Sequence, residues 1–234
     1  MSTDSSISTN LATLLSDMAA TARQAGRDEA DVRLVAVSKT HPAADILEAA
    51  RAGQVLFGES RVQEALPKVA SLPPVLEWHF IGHLQANKVR KALPHFALFH
   101  SVDNLNLARD IARIAAETEQ KARVLIEVNI SGEVTKYGFS PTALEDSIDS
   151  LLGLPQLEIA GLMTMAPYSE NPELARPTFA ALREFRDRLE ARGGIVLPEL
   201  SMGMSGDFRQ AIHEGATLVR VGTAIFGSRP PPIA

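Results

Sequence analysis

The chain has 234 residues, 45% of them hydrophobic and 22% charged, with a formal net charge of −5; this is enough for a sizeable core, and the interspersed charges leave no basic face for nucleic acid or an anionic membrane. The absence of cysteine excludes disulfides, thiolate nucleophiles and cysteine metal sites. No apolar run approaches the roughly 20 residues of a membrane span, and "MSTDSSISTN" lacks the charged-then-apolar pattern of a signal peptide, so a cytoplasmic protein with neither membrane nor nucleic-acid partners is expected.

In chain order, residues 5–26 read as a helix, with Leu11, Leu14, Leu15 and Met18 on one stripe and Gly26 at its end. About residues 1–9 and 229–234 read as disordered tails. Eight short apolar runs follow, at 33–37 ("RLVAV"), 55–57, 77–81, 97–102, 123–130, 157–163, 198–202 and 217–222. Between them lie segments of helical periodicity. One follows a cap at Asp103 or Asn104, and another, after Pro172, contains Pro177, where a helix starts or kinks. Runs alternating with amphipathic segments indicate successive βα units around a parallel sheet. Eight units at about 29 residues each approach the roughly 250 residues of a compact (β/α)8 barrel. The alternative, a doubly wound open sheet, more often has about six units and a glycine-rich turn after its first strand; here that strand runs into "SKTHP". The expectation is α/β: a single-domain (β/α)8 TIM barrel over residues 1–234 with an extra N-terminal helix. No helix face is obviously apolar and exposed, so a monomer is expected.

In such a barrel the loops after the strands build the site. By the period of two, Val35, Val37 and Lys39 share a face, so the lysine tops an inward column. A desolvated lysine amine forms Schiff bases with carbonyl ligands; a hydrated surface lysine is the plainer alternative. In "LSMGMSGDFRQAI" (200–212), Ser205 and Gly206 fall at a helix N-terminus with Asp207 in the first turn, presenting N–H groups and a hydroxyl to an anion. In "RVGTAIFG" (220–227), Gly222 permits close approach of backbone to ligand and Thr223 adds a hydroxyl. Loops after strands 7 and 8 often hold phosphate in barrels, and together these two segments make a phosphate cup. Arg220 shares a face with Leu218 and Gly222 inside the last strand and needs an acceptor: either an acid such as Glu127, or an uncharged ring nitrogen of a ligand. His79 and His83 have i, i+4 spacing, but "WHFIGHL" reads as a strand ending in a turn, so no metal site is expected.

Taken in order, "VAVSKT", "FGESRVQEALPK", "EWHFIGHLQANKVR", "FHSVD", "VLIEVNIS", "IAGLMTMAP", "LSMGMSGDFRQAI" and "VRVGTAIFG" resemble the signature segments of the pyridoxal phosphate homeostasis proteins, the alanine racemase N-terminal domain-like family. The resemblance spans about residues 10–228. It implies a barrel similar to the alanine racemase N-terminal domain (fold type III) that carries pyridoxal 5'-phosphate (PLP) covalently on Lys39. It further implies that Ser205, Gly222 and Thr223 hold the phosphate, that Ser201 and Met204 line the same edge, and that Arg220 faces the pyridine nitrogen. An arginine there keeps that nitrogen neutral and weakens the electron sink. The implied role is therefore intracellular PLP (vitamin B6) homeostasis with little or no catalysis, apo PLP-dependent enzymes being the recipients. The alternative is a PLP-dependent amino-acid racemase or related enzyme, for which Tyr137 or Tyr168, in the loops after strands 5 and 6, would have to supply an opposing base. A third reading is a PLP-independent aldolase using Lys39. The chain departs from the family pattern at Ser60, where asparagine is usual, and at His41, where a second lysine is frequent. Lys136 matches a family lysine and reads either as a secondary amine or as a solvated loop charge.

Overall fold

The computed structural model describes residues 6–227. Its strands are β1 (Arg33–Val37), β2 (Leu56–Glu59), β3 (Glu77–Phe80), β4 (Leu98–Val102), β5 (Ala122–Glu127), β6 (Leu157–Met163), β7 (Glu199–Ser201) and β8 (Leu218–Val221). They pair in parallel in chain order, and β8 returns to β1 with Val35 opposite Arg220, closing the barrel. The strands expected at 33–37 and 157–163 have those bounds, and the other six differ by at most three residues at an end.

The helical layer comprises α1 (Ile7–Gln24), α2 (Ala43–Arg51), α3 (Val62–Ser71), α4 (Val89–Ala92), α5 (Leu105–Glu117), α6 (Pro141–Leu152), α7 (Arg176–Ala191), α8 (Phe208–His213) and α9 (Thr223–Phe226). The extra helix α1 starts because Ser6 caps it, its side chain accepting the Thr9 N–H. Residues 6–9 therefore form the cap and first turn of this helix rather than part of a tail; the rest of the expected tails lies outside the described residues. Leu11, Leu14 and Met18 are buried, but Leu15 is 41% exposed. The helix packs on α2, α8 and α9 along its 11–14–18 stripe, and residue 15 stands about 100° round from residue 14. Asn104 caps α5 by accepting the Leu107 N–H. Pro177 starts α7, after a 3-10 turn at Pro172–Ala175, and does not kink it.

Two apolar layers result. Alternate strand residues Val35, Leu56, Leu98, Leu125, Ala160 and Leu218 fill the barrel, and the opposite parity packs against the helices. At the lower mouth, where strands begin, the odd strands contribute Arg33, Glu77, Arg123 and Glu199. Glu199 pairs with Arg33 and with Arg123 (3.7 Å), and both arginines act on Glu77. This ring of alternating sign closes the bottom of the barrel.

Candidate functional site at the upper mouth

The upper mouth opens into a cavity of about 360 Å³. Its wall brings together Lys39, Met204, Ser205, Arg220, Gly222 and Thr223, contributed by the loops after β1, β7 and β8 and by the end of β8 itself. Ser201, expected on the same edge, is not on the wall: it is fully buried beneath Arg220.

The turn that carries Lys39 is held from the helix side. Thr40 adopts a left-handed conformation (φ 69°), which costs a residue with a Cβ about 1–2 kcal/mol, and its N–H donates to Glu64. The Lys68 ammonium donates to the Ser38 carbonyl (2.9 Å) and to Glu59 Oε1 (2.7 Å), which also accepts from Ser38 Oγ (2.7 Å). Glu59 is fully buried with Oε2 unpartnered, and burial pushes its carboxyl above the usual range against the pull of Lys68. The backbone on either side of Lys39 is thus fixed before any ligand arrives.

On the opposite wall, residues 204–207 form a turn ahead of α8. Asp207 stands at the cap position, not in the first helical turn as the sequence suggested, because its Oδ1 accepts the Met204 N–H at 2.6 Å and closes the loop on itself. Burial raises the Asp207 carboxyl above its ordinary value. Gly203 has φ +91°, and a Cβ there would lie 2.5 Å from Ala211 Cβ. At Gly222 a Cβ would come within 3.0 Å of the Val37 carbonyl, so the start of α9 lies directly against the end of β1.

Arg220 is buried. Its observed acceptors are Ser201 Oγ (2.5 Å) and the Thr164 carbonyl (3.2 Å); Glu127, the acid weighed as its partner, acts on it only through space. Burial lowers the guanidinium to about 10, opposed by Glu127 and Asp207. Glu127 is raised to about 7, by burial first and then by Asp103, with Arg220 opposing.

Other positions singled out in the sequence sort by distance from the cavity. Tyr168 lies on its rim, 95% exposed, whereas Tyr137 stacks on His83 at 4.3 Å and is not on the wall. Lys136 donates to Glu133 (2.8 Å) and to the Met165 carbonyl (3.3 Å), tying the loops after β5 and β6 together rather than standing in solvent. His41 lines the cavity with its ring 4.9 Å from Phe226. Ser60 lines a second cavity of about 270 Å³ with Arg61, His83 and Lys88. Among the described residues no group of three or more His, Asp or Glu is placed to hold a metal ion, and no helix is long and apolar enough to cross a membrane.

Two features of this region went unread in the sequence. His100 is fully buried and joins His79 to Ser201; Asp207 locks the 204–207 turn. A polar residue inside an apolar strand run, as in "LFHSV", was the available signal for the first.

The model of the family "Alanine racemase, N-terminal domain" matches residues 10–230. The chain is 48% identical to the pyridoxal phosphate homeostasis protein of Aquifex aeolicus over 88% of this chain and 91% of that one. The chain belongs to the pyridoxal phosphate homeostasis protein family. Among solved structures, this family member resembles PipY of Synechococcus elongatus PCC7942, solved with PLP bound, at a TM-score of 0.82 and 41% identity, covering 94% of this chain and all of that one. The alanine racemase of Clostridium difficile 630 shares the fold at a TM-score of 0.71 and 17% identity; the match covers 93% of this chain and 57% of the racemase.

Proposed function

We propose that this chain binds pyridoxal 5'-phosphate covalently through Lys39 and acts in vitamin B6 homeostasis as a carrier rather than by turnover. The observation that carries the reading is the meeting of an amine, a buried guanidinium and two donor-bearing loops in one cavity. The residues suit that cofactor. A volume of about 360 Å³ lies in the range of small-ligand sites. The Ser205 and Thr223 hydroxyls, and the side-chain-free approach at Gly222, suit a phosphate, while Met204 gives the edge an apolar face. Arg220 has donors only and suits a ring nitrogen that accepts. The PLP-bound PipY structure supports the same reading.

PLP supplies an electron sink whose strength depends on protonation of its ring nitrogen. Arg220 would donate to that nitrogen, where its charge would oppose protonation. Ser201 acts through Arg220, by holding one of its N–H groups. A neutral ring would favour holding and releasing the cofactor over carbanion chemistry, which suits a carrier; the carrier proposed is a cytoplasmic monomer that supplies apo PLP-dependent enzymes. A racemase reading rests on Tyr168 at the rim: interconversion of L- and D-alanine, lost in Tyr168→Phe, would establish it in place of the carrier.

The test is the absorbance of the purified protein loaded with PLP, before and after borohydride, followed by peptide mass mapping. The expected result is a visible band that borohydride bleaches, with the reduced adduct on Lys39. In Lys39→Ala the band should vanish while the fold persists; a full band in that variant would refute the assignment.

A further inference from the structure

An unbroken chain of hydrogen bonds runs through the barrel from the lower mouth to the cavity. Glu77 Oε1 lies 2.9 Å from His79 Nε2, and His79 Nδ1 lies 2.9 Å from His100 Nε2. His100 Nδ1 lies 2.8 Å from Ser201 Oγ, which lies 2.5 Å from an Arg220 Nη. Both ends have fixed polarity, because a guanidinium only donates and an ionised carboxylate only accepts. Arg220 therefore donates to Ser201; among the described residues His100 Nδ1 is the acceptor in reach of the hydroxyl's own proton, so Ser201 donates there. His100 then carries its own proton on Nε2 and donates to His79 Nδ1; His79 does the same towards Glu77. With both rings neutral, this arrangement gives every proton in the series an acceptor; a doubly protonated His79 would also make the four contacts but would leave the buried Ser201 proton without an acceptor. Burial lowers both imidazoles, His100 well below its ordinary value, and the hydrogen bond from His79 holds Glu77 low.

We propose that Glu77, His79, His100 and Ser201 are positioning residues: a one-way hydrogen-bond relay that holds Arg220 aimed into the cavity, anchored on an acceptor at the opposite mouth. The relay solves a specific problem. A carboxylate in direct contact would orient a buried guanidinium but would also neutralise it towards a ligand. Here the anchoring negative charge stands four hydrogen bonds away, and neutral groups fill the space between; each bond polarises the next. The other charged groups facing the relay are Arg33, Arg123 and Glu199 around Glu77 and His79, and Glu127 and Asp207 around Arg220.

The effect on ligand rests on the PLP-binding reading, but the relay itself can be tested without ligand. In full-length, ligand-free protein with 15N-labelled histidine, long-range 15N–1H correlation should show His79 and His100 protonated on Nε2 alone and unchanged between about pH 6.5 and 8.5. Each is assigned by loss of its signals in His79→Asn or His100→Asn. An Nδ1–H tautomer at either ring, or titration within that window, would overturn the relay. In protein loaded with PLP, Glu77→Ala should weaken binding roughly three- to tenfold and shift the pH profile of the visible band. Glu77→Gln, which keeps a carbonyl acceptor, should recover most of both. Unchanged affinity in Glu77→Ala, or no recovery in Glu77→Gln, would overturn the anchoring role. If the unmodified chain takes up no PLP, the binding reading fails and the tautomers alone decide the relay.

Discussion

The two mouths of the barrel use the same inward-facing geometry for opposite ends. At the lower mouth, Arg33, Glu77, Arg123 and Glu199 alternate in sign and satisfy one another. At the upper mouth Lys39 and Arg220 meet on a cavity wall; Glu59 bonds Lys68, Asp207 bonds its own turn, and Glu127 acts on Arg220 through space. A barrel end whose charges pair across it is a plug, and one whose lysine and arginine line a cavity is suited to an electron-rich ligand.

The sharpest way to break this contrast is to exchange the consequences of substitution. Lys39→Ala should abolish covalent PLP uptake yet change the unfolding free energy in urea by less than about 1 kcal/mol. Next in size is the pH dependence caused by Glu127. Its folded-state pKa of about 7 lies above the ordinary 4.5, so the folded state gains from the protonated form. That stability is fully present below pH 4.5 and is lost as pH rises through 7. Relative to Glu127→Gln, the unmodified protein should lose up to about 3 kcal/mol between pH 4.5 and 8; parallel pH profiles would refute an uncompensated acid near Arg220. At the plug, Glu199→Ala should lower stability by about 2 kcal/mol with PLP uptake retained. The loss is smaller than for a fully buried pair because the Arg33 and Arg123 side chains are 43% and 37% exposed and rehydrate. The smallest change, Gly222→Ala, puts a methyl group against the Val37 carbonyl and should weaken PLP binding about tenfold, or about 1.4 kcal/mol, measurable by fluorescence titration.

The strands and most of the cavity-lining residues were legible because both follow short-range rules. Apolar runs between amphipathic segments located the strands, and a period of two put Lys39 with Val37 and Arg220 with Gly222 on inward faces. What escaped depends on distances around the barrel. His79 and His100 come from neighbouring strands, and their contact follows from stagger and curvature, to which a linear pattern is blind. Ser201 and Met204 are three residues apart, yet one lies under Arg220 and the other on the wall, since the chain turns at Gly203 with φ +91°. Leu15 was misplaced because α1 packs along a narrower stripe than its sequence offers. Asp207 was put one position too far along because its side chain caps a turn instead of joining the helix.

The most direct test of the account is a crystal structure of the chain grown with pyridoxal 5'-phosphate. The account predicts continuous density from Lys39 Nζ to the cofactor, the phosphate against Ser205, Gly222 and Thr223, and an Arg220 N–H directed at the ring nitrogen. Cofactor bound elsewhere, or bound in this cavity with Lys39 unlinked, would contradict it.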